Sequence, residues 1–230
     1  MTHNPWGPEP MEHEGRPRIT FSGREVLHLV VAVVVLTLCF TLAREQRAFP
    51  RWLSPNPIDL AASAIAVSTG FVLHELMHKI VAQRYGHWAE FRAQFGSLLG
   101  SLGVVVGTLL AGTPVLVAAP GAVWIQGAVT PRQNGIISLV GPATNIVLAA
   151  IAWPFTWATD LDAPLPHIML VVAFVNAGLA IFNLIPMRLF GNELDGRKVL
   201  RWNPAVYILC MAAAVAIFVC ILVGVHPKVG

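Results

Sequence analysis

The chain has 230 residues, of which 56% are hydrophobic and 12% charged, with a mean hydropathy of +0.67. A soluble domain carries about 25% charged residues, so this composition excludes one and points to an integral membrane protein. The formal net charge of +3 and the pI near 9.0 do not argue for a nucleic-acid partner. No basic-aromatic platform accompanies them, and excess positive charge in a membrane protein reflects loop topology.

Residues 1–24 form a polar tail holding Pro5, Pro8, Pro10 and Pro17, too long and too mixed in charge for an ordinary secretory leader. A frayed tail followed by a retained helix is expected, with 25–226 as a single membrane-embedded domain. Apolar runs follow near 26–43, 60–82, 97–119, 134–155, 167–187 and 204–225, most of them close to the roughly 20 residues needed to span. The expected fold is an all-α polytopic membrane protein of about five to six transmembrane helices. Cys39, Cys210 and Cys220 all lie in apolar runs, where a thiol behaves as a small hydrophobe and no disulfide framework is indicated.

The run 60–82 is rich in small residues that let helices approach closely, and it carries His74-Glu75-Leu76-Met77-His78. Residues four apart share a helix face, so His74 and His78 can present two nitrogens to one metal ion, with Glu75 alongside as a general base. In this motif zinc takes both histidines, a third protein ligand and a water whose pKa it lowers to about 7. Ionisable residues inside a bilayer cost roughly 2.5–3.5 kcal/mol each on insertion scales, so their presence calls for a function. If the helix ends near Gln83, His78 lies roughly 7 Å and His74 roughly 13 Å below that end, a recessed but not central position.

The run 97–119 is interrupted by Gly100, Gly103, Gly107, Gly112 and Pro114 and is flanked by Gly96 and Pro120-Gly121. Such backbone is tolerated at membrane depth when it is buried against protein or lines a cavity, so a re-entrant or broken segment is expected there. Residues 120–127 read as a short β-prone segment between turn formers, whose open edge would accept a substrate as an added strand. Gly141-Pro142-Ala143-Thr144-Asn145 and Phe182-Asn183-Leu184-Ile185-Pro186 each place an amide beside a kink inside an apolar run. Asn145 and Asn183 are candidates to hold a substrate carbonyl or an oxyanion, with helix packing as the commoner role of such residues.

After Glu90 the only acids are Asp160, Asp162, Glu193 and Asp195. Asp195 is the better third ligand, since Gly196 lets the backbone turn tightly back into the protein; its alternative is a solvated acid at a helix end. If Asp195 reaches the histidines, the ends of the runs 60–82 and 167–187 open on one face, and one of the three runs after the histidines cannot cross. The re-entrant segment supplies that. The face of the metal site then carries eleven basic residues, between Arg16 and Arg201, against Arg44, Arg47, Arg51 and Lys228 on the other. Under the positive-inside rule the site and the N-terminus face the cytoplasm. Trp202 and Tyr207 stand where they would anchor the last helix at the interface.

Together, the His-Glu-Leu-Met-His helix, Pro120-Gly121-Ala122-Val123, Gly141-Pro142 with Asn145, and Asn183 with Pro186 followed by Leu194-Asp195-Gly196 resemble the site-2 protease family, intramembrane zinc metalloproteases. The likeness covers about residues 60–200. It implies that His74, His78 and Asp195 bind one zinc ion (Zn2+), that Glu75 is the general base, and that Asn145 and Asn183 support substrate or intermediate. It further implies regulated cleavage of single-pass transmembrane protein substrates within the lipid membrane. Two features depart from the family pattern. Seven residues, Met187 to Glu193, stand between Pro186 and Leu-Asp-Gly where three are usual, and the segment from Gly86 to Pro120 is long. Two other classes fit part of the pattern. A prenyl-protein type membrane protease would use Glu193 as third ligand, and a metal or ion transporter would show paired repeats, of which none is visible.

Overall fold

A computed structural model of the chain describes residues 19–44, 56–116, 120–157, 164–189 and 192–224. The polar tail up to residue 18, Asp160, Asp162 and the basic residues Arg16, Arg18, Arg47, Arg51 and Lys228 lie outside the described residues. Five helical rods are long and apolar enough to cross a membrane. The first is α1 (Gly23–Arg44). The second is continuous from Pro57 to Arg84 and comprises α2 (Pro57–Val67), a π-helical turn (Ser68–Val72) and α3 (Leu73–Arg84). Its start is set by Pro57 in the first turn and by the Asn56 side chain, which accepts from the Ile58 N–H at 2.9 Å.

After α3 the chain makes β1 (Trp88–Ala93), α4 (Phe95–Leu110) and β2 (Gly121–Gln126). The two strands pair antiparallel, with Ala93 opposite Gly121, and the Gln94 N–H donates to the Pro120 carbonyl at 3.0 Å. The segment between them therefore leaves and returns at one place. At about 1.5 Å per residue the 16 residues of α4 reach some 24 Å, short of a full span. The expected re-entrant segment is this helical excursion; the length between Gly86 and Pro120 is that of the excursion plus β1, a strand sequence reasoning did not foresee.

α5 (Pro131–Ala152) opens with a capping box in which Thr130 and Gln133 satisfy each other's backbone N–H groups, behind Pro131 at the first turn. A short 3-10 turn (Trp153–Trp157) follows, then α6 (Pro164–Leu184), the two-residue strands β3 (Arg188–Leu189) and β4 (Asn192–Glu193), α7 (Asp195–Trp202) and α8 (Pro204–Gly224). Small residues bring α2, α5 and α6 together around Ala62, Ala66, Ala149, Ala173 and Ala177. α8 turns Leu209 (70% exposed) and Val223 (64% exposed) outward, an apolar surface suited to lipid.

Contacts at the two ends of the bundle settle the crossing count. At one end Asp59 of α2 meets Arg44 at the close of α1 at 3.8 Å and His167 at the opening of α6 at 2.8 Å. At the other, Glu25 of α1 pairs with Lys79 of α3. α1 thus runs antiparallel to the α2–α3 rod. α5 leaves from the α3 end and α6 returns to it, carrying α7 to the histidines. With five crossing helices and a small sheet, the chain is a multi-pass integral membrane protein.

Candidate metal centre

The π-helical turn lies immediately before the motif, and such bulges re-phase a helix at functional sites. After it, His74, Glu75 and His78 are all buried, the two histidines on the face that meets α5. α5 admits them through Gly141, since a Cβ there would overlap both imidazole rings. Pro142 next to it removes a helical N–H donor and loosens the turn that contains Ile137 and Ser138.

The hydrogen bonds behind the rings decide where their protons sit. The His78 Nδ1 lies 2.5 Å from the Ile137 carbonyl, which can only accept, so Nδ1 carries the hydrogen. His74 Nδ1 lies 2.6 Å from Asn145 Oδ1. The orientation of that amide is fixed because its Nδ2 donates to the Gly70 carbonyl at 2.9 Å and to Asn176 Oδ1 at 3.0 Å. Asn176 in turn donates to the Val172 carbonyl at 2.9 Å. Both histidines are therefore Nδ1–H donors, and both Nε2 atoms present lone pairs.

Those two nitrogens lie 2.9 Å apart, and Asp195 Oδ2 is 3.3 Å from one and 3.0 Å from the other. Three lone-pair atoms this close repel unless a cation, a proton or a metal, sits among them. Two imidazoles and a carboxylate are a donor set that zinc takes. Tetrahedral ligands about 2.1 Å from zinc are roughly 3.4 Å apart, close to the spacing found. The donor set of His74, His78 and Asp195 fits the metal.

Asp195 reaches the histidines because the extra residues fold aside. β3 and β4 pair as a hairpin, Arg188 opposite Glu193, and the Leu194 N–H donates to the Met187 carbonyl at 3.0 Å. Gly196 lets the start of α7 lie on the end of α6, where a Cβ would run into the Leu184 carbonyl. Lys198 Nζ, one turn on, stands 3.6 Å from Asp195 Oδ1. Glu193, the alternative third ligand, is instead surrounded by Arg188, Arg197 and Arg201 at 3.0–3.1 Å. Burial pushes its carboxyl up, but the Arg188 hydrogen bond and the three guanidinium charges outweigh that and hold it below its ordinary value. It is absent from the metal-binding cluster.

A cavity of about 150 Å³ opens over the cluster and is lined by Glu75, β2 and Asn183 among others. The Val123 backbone N–H faces the Glu75 carboxyl. Asn183 donates to the Leu179 carbonyl of its own helix at 2.9 Å and borders the cavity. Asn145 does not border it. Every polar atom of its amide is engaged behind His74, a position that suits orienting the ring rather than touching substrate. Sequence reasoning missed Asn176, the Ile137 carbonyl and Lys198. An asparagine in the apolar stretch 164–184 was the available signal for the first; the other two depend on the packing alone.

The spanning helices and the converging His74, His78 and Asp195 side chains fit a membrane protein of the zinc metalloprotease class. The chain is 35% identical to a Methanocaldococcus jannaschii protein over 190 residues, 82% of this chain and 90% of that relative. It is 28% identical to a Mycolicibacterium smegmatis protein over 67% of this chain and 65% of that one. Both are named "Putative zinc metalloprotease". No protein-family model and no solved structure matches the chain. The chain belongs to the site-2 protease family of zinc metalloproteases.

Proposed function

We propose that this protein is an intramembrane endopeptidase that hydrolyses a peptide bond of single-pass transmembrane substrates close to the cytoplasmic face. His74, His78 and Asp195 hold one zinc ion and Glu75 is the general base. The observation that carries the reading is the Glu75 carboxyl standing next to the three converging lone-pair donors, on a cavity bordered by the free edge of β2. Zinc in that position acts as a Lewis acid toward the scissile carbonyl and brings the pKa of a water to about 7.

The residues of the chain do the rest. A helical substrate buries its carbonyls in its own hydrogen bonds, so it has to be drawn out. An extended segment added to β2 meets outward backbone groups at Gly121, Val123 and Ile125. Glu75 takes the proton of the attacking water and returns it to the leaving amide nitrogen. Asn183 keeps one amide N–H beyond its bond to Leu179, and this hydrogen serves the carbonyl oxygen as charge develops on it. Asn145 holds the His74 ring so that Nε2 faces the metal. The excess of basic residues at this end of the bundle supports a cytoplasmic site.

The test is Glu75→Gln, which keeps the shape of the site and removes the base. The variant is expected to bind zinc as the wild type does and to cut a helical substrate at least a thousandfold more slowly. Wild-type cleavage by Glu75→Gln would rule out the assigned mechanism.

A further inference from the structure

Three ionisable side chains outside the metal centre, Glu25, His28 and Lys79, are buried where α1 meets the sheet. A buried ion pair gives little net stability over well-packed apolar residues, so Glu25 and Lys79, each 1% exposed, call for a role beyond holding helices together. Their geometry supplies one. Lys79 pairs with one oxygen of Glu25, and the other, Oε1, accepts from the Phe91 N–H at 3.0 Å. One turn further along α1, His28 Nδ1 accepts from the Ala93 N–H at 3.3 Å.

Phe91 and Ala93 are alternate residues of β1 whose N–H groups point away from β2. α1 therefore occupies the outer edge of β1 as a neighbouring strand would. In antiparallel pairing the residues opposite them, Val123 and Gly121, also turn their N–H and C=O groups outward, on the opposite side of the sheet. Of the two edges, α1 closes one with Glu25 and His28, and the other faces the cavity. Lys79 directly follows His78, so the path Lys79, Glu25, Phe91, Val123, Glu75 starts and ends on α3, tying the height of the sheet to the metal helix.

We infer that Glu25, held by Lys79, is a positioning residue: it closes the β1 edge so that a substrate strand adds only at β2, and it sets that strand in register with Glu75. This rests on the reading of β2 as the substrate-binding strand.

The experiment uses the full chain in vesicles of phosphatidylethanolamine and phosphatidylglycerol. The probe is a fluorogenic single-pass helix selected for cleavage by the wild type, and cut sites are read by mass spectrometry. Glu25→Leu with Lys79→Met removes the charges together, which keeps the interior neutral, and leaves the Phe91 N–H without its acceptor. This pair is expected to hold zinc within about threefold of the wild type in chelator competition. Its KM should rise about tenfold, the scale of one lost hydrogen bond in a buried site, and its cuts should spread to neighbouring bonds. Glu25→Gln with Lys79→Met keeps an acceptor for Phe91 and should restore a single cut site. A Leu/Met pair that cuts only the wild-type bond with wild-type KM overturns the inference. So does loss of zinc affinity in parallel with cleavage, which marks the pair as general support of the fold. Ile125→Pro removes an outward N–H, one that does not face Glu75, without touching the β1–β2 ladder; unchanged KM and cut site in that variant overturn the substrate-strand reading itself, and the inference with it.

Discussion

The Leu194 N–H donates to the Met187 carbonyl at 3.0 Å, and this one bond brings the Leu-Asp-Gly turn back to the point where α6 ends. Between the two, β3 pairs with β4, Arg188 opposite Glu193 and Leu189 opposite Asn192, so the longer spacing adds no distance between Pro186 and Asp195. A spacing that departs from the family pattern by about a helical turn therefore leaves Asp195 in reach of both histidines.

Deleting Leu189–Asn192 tests this. It leaves Met187, Arg188, Glu193 and Leu194 in succession, and the same N–H to carbonyl bond then closes an ordinary four-residue turn. Zinc affinity is expected to stay within about threefold of the wild type in chelator competition. A loss of a hundredfold or more would mean that the hairpin itself holds Asp195.

The third ligand separates the family from the prenyl-protein type of membrane protease. Asp195→Asn should weaken zinc about a hundredfold or more, since it replaces an anionic donor by a neutral one. Glu193→Gln should leave zinc unchanged and disturb only the cluster with Arg188, Arg197 and Arg201. Metal analysis of the two purified variants reads the difference, and the reverse order would shift the ligand to Glu193.

Asn145→Leu keeps the side-chain bulk and removes the oxygen that holds the His74 Nδ1–H. Loss of an outer-shell partner typically costs 10–100-fold in metal affinity, and a fall in that range is expected here. Cobalt substitution gives a second readout, because a ring free to rotate alters the visible bands of the site. An unchanged affinity and spectrum would place Asn145 in helix packing alone.

Glycines on two helices should respond in opposite ways to the same added methyl group. At Gly141 a Cβ overlaps both imidazoles, so Gly141→Ala is expected to lower stability by about 1–3 kcal/mol and to displace the metal ligands. At Gly100, inside α4, a Cβ meets nothing within 4 Å, and Gly100→Ala should stabilise by about 0.5–1 kcal/mol through helix propensity. Thermal unfolding in detergent distinguishes them; equal effects would contradict the packing of α5 on the histidines.

Much of the fold is legible along the chain because each signal there is local. Hydropathy marks the five spanning rods, the glycines between Gly96 and Gly112 mark the excursion that fails to span, and Pro120-Gly121 marks the start of β2. β1 escapes notice because Trp88–Ala93 is short and mixes Glu90 and Arg92 with apolar residues. A two-strand pairing across the whole of α4 also leaves no periodic trace. Nothing local in the sequence marks Glu25 and Lys79 as partners; their pairing is a matter of how α1 lies on the sheet.

By itself the sequence supplies the candidate ligand set: two histidines one helical turn apart, a carboxylate beside them, and an aspartate next to a glycine-permitted turn. With Asp195 as third ligand it also requires that one apolar run not cross, because crossings are counted along the chain. Only the tertiary structure decides that Asp195 closes to 3.0 Å from His78, that both Nε2 lone pairs face inward, and that no strand among the described residues pairs with the second edge of the β1–β2 sheet. These depend on hydrogen bonds accepted by Asn145, Ile137 and Glu25, 54 to 71 residues away along the chain from the groups they hold. Partners at such separations are chosen by the packing of helices, not by any local pattern.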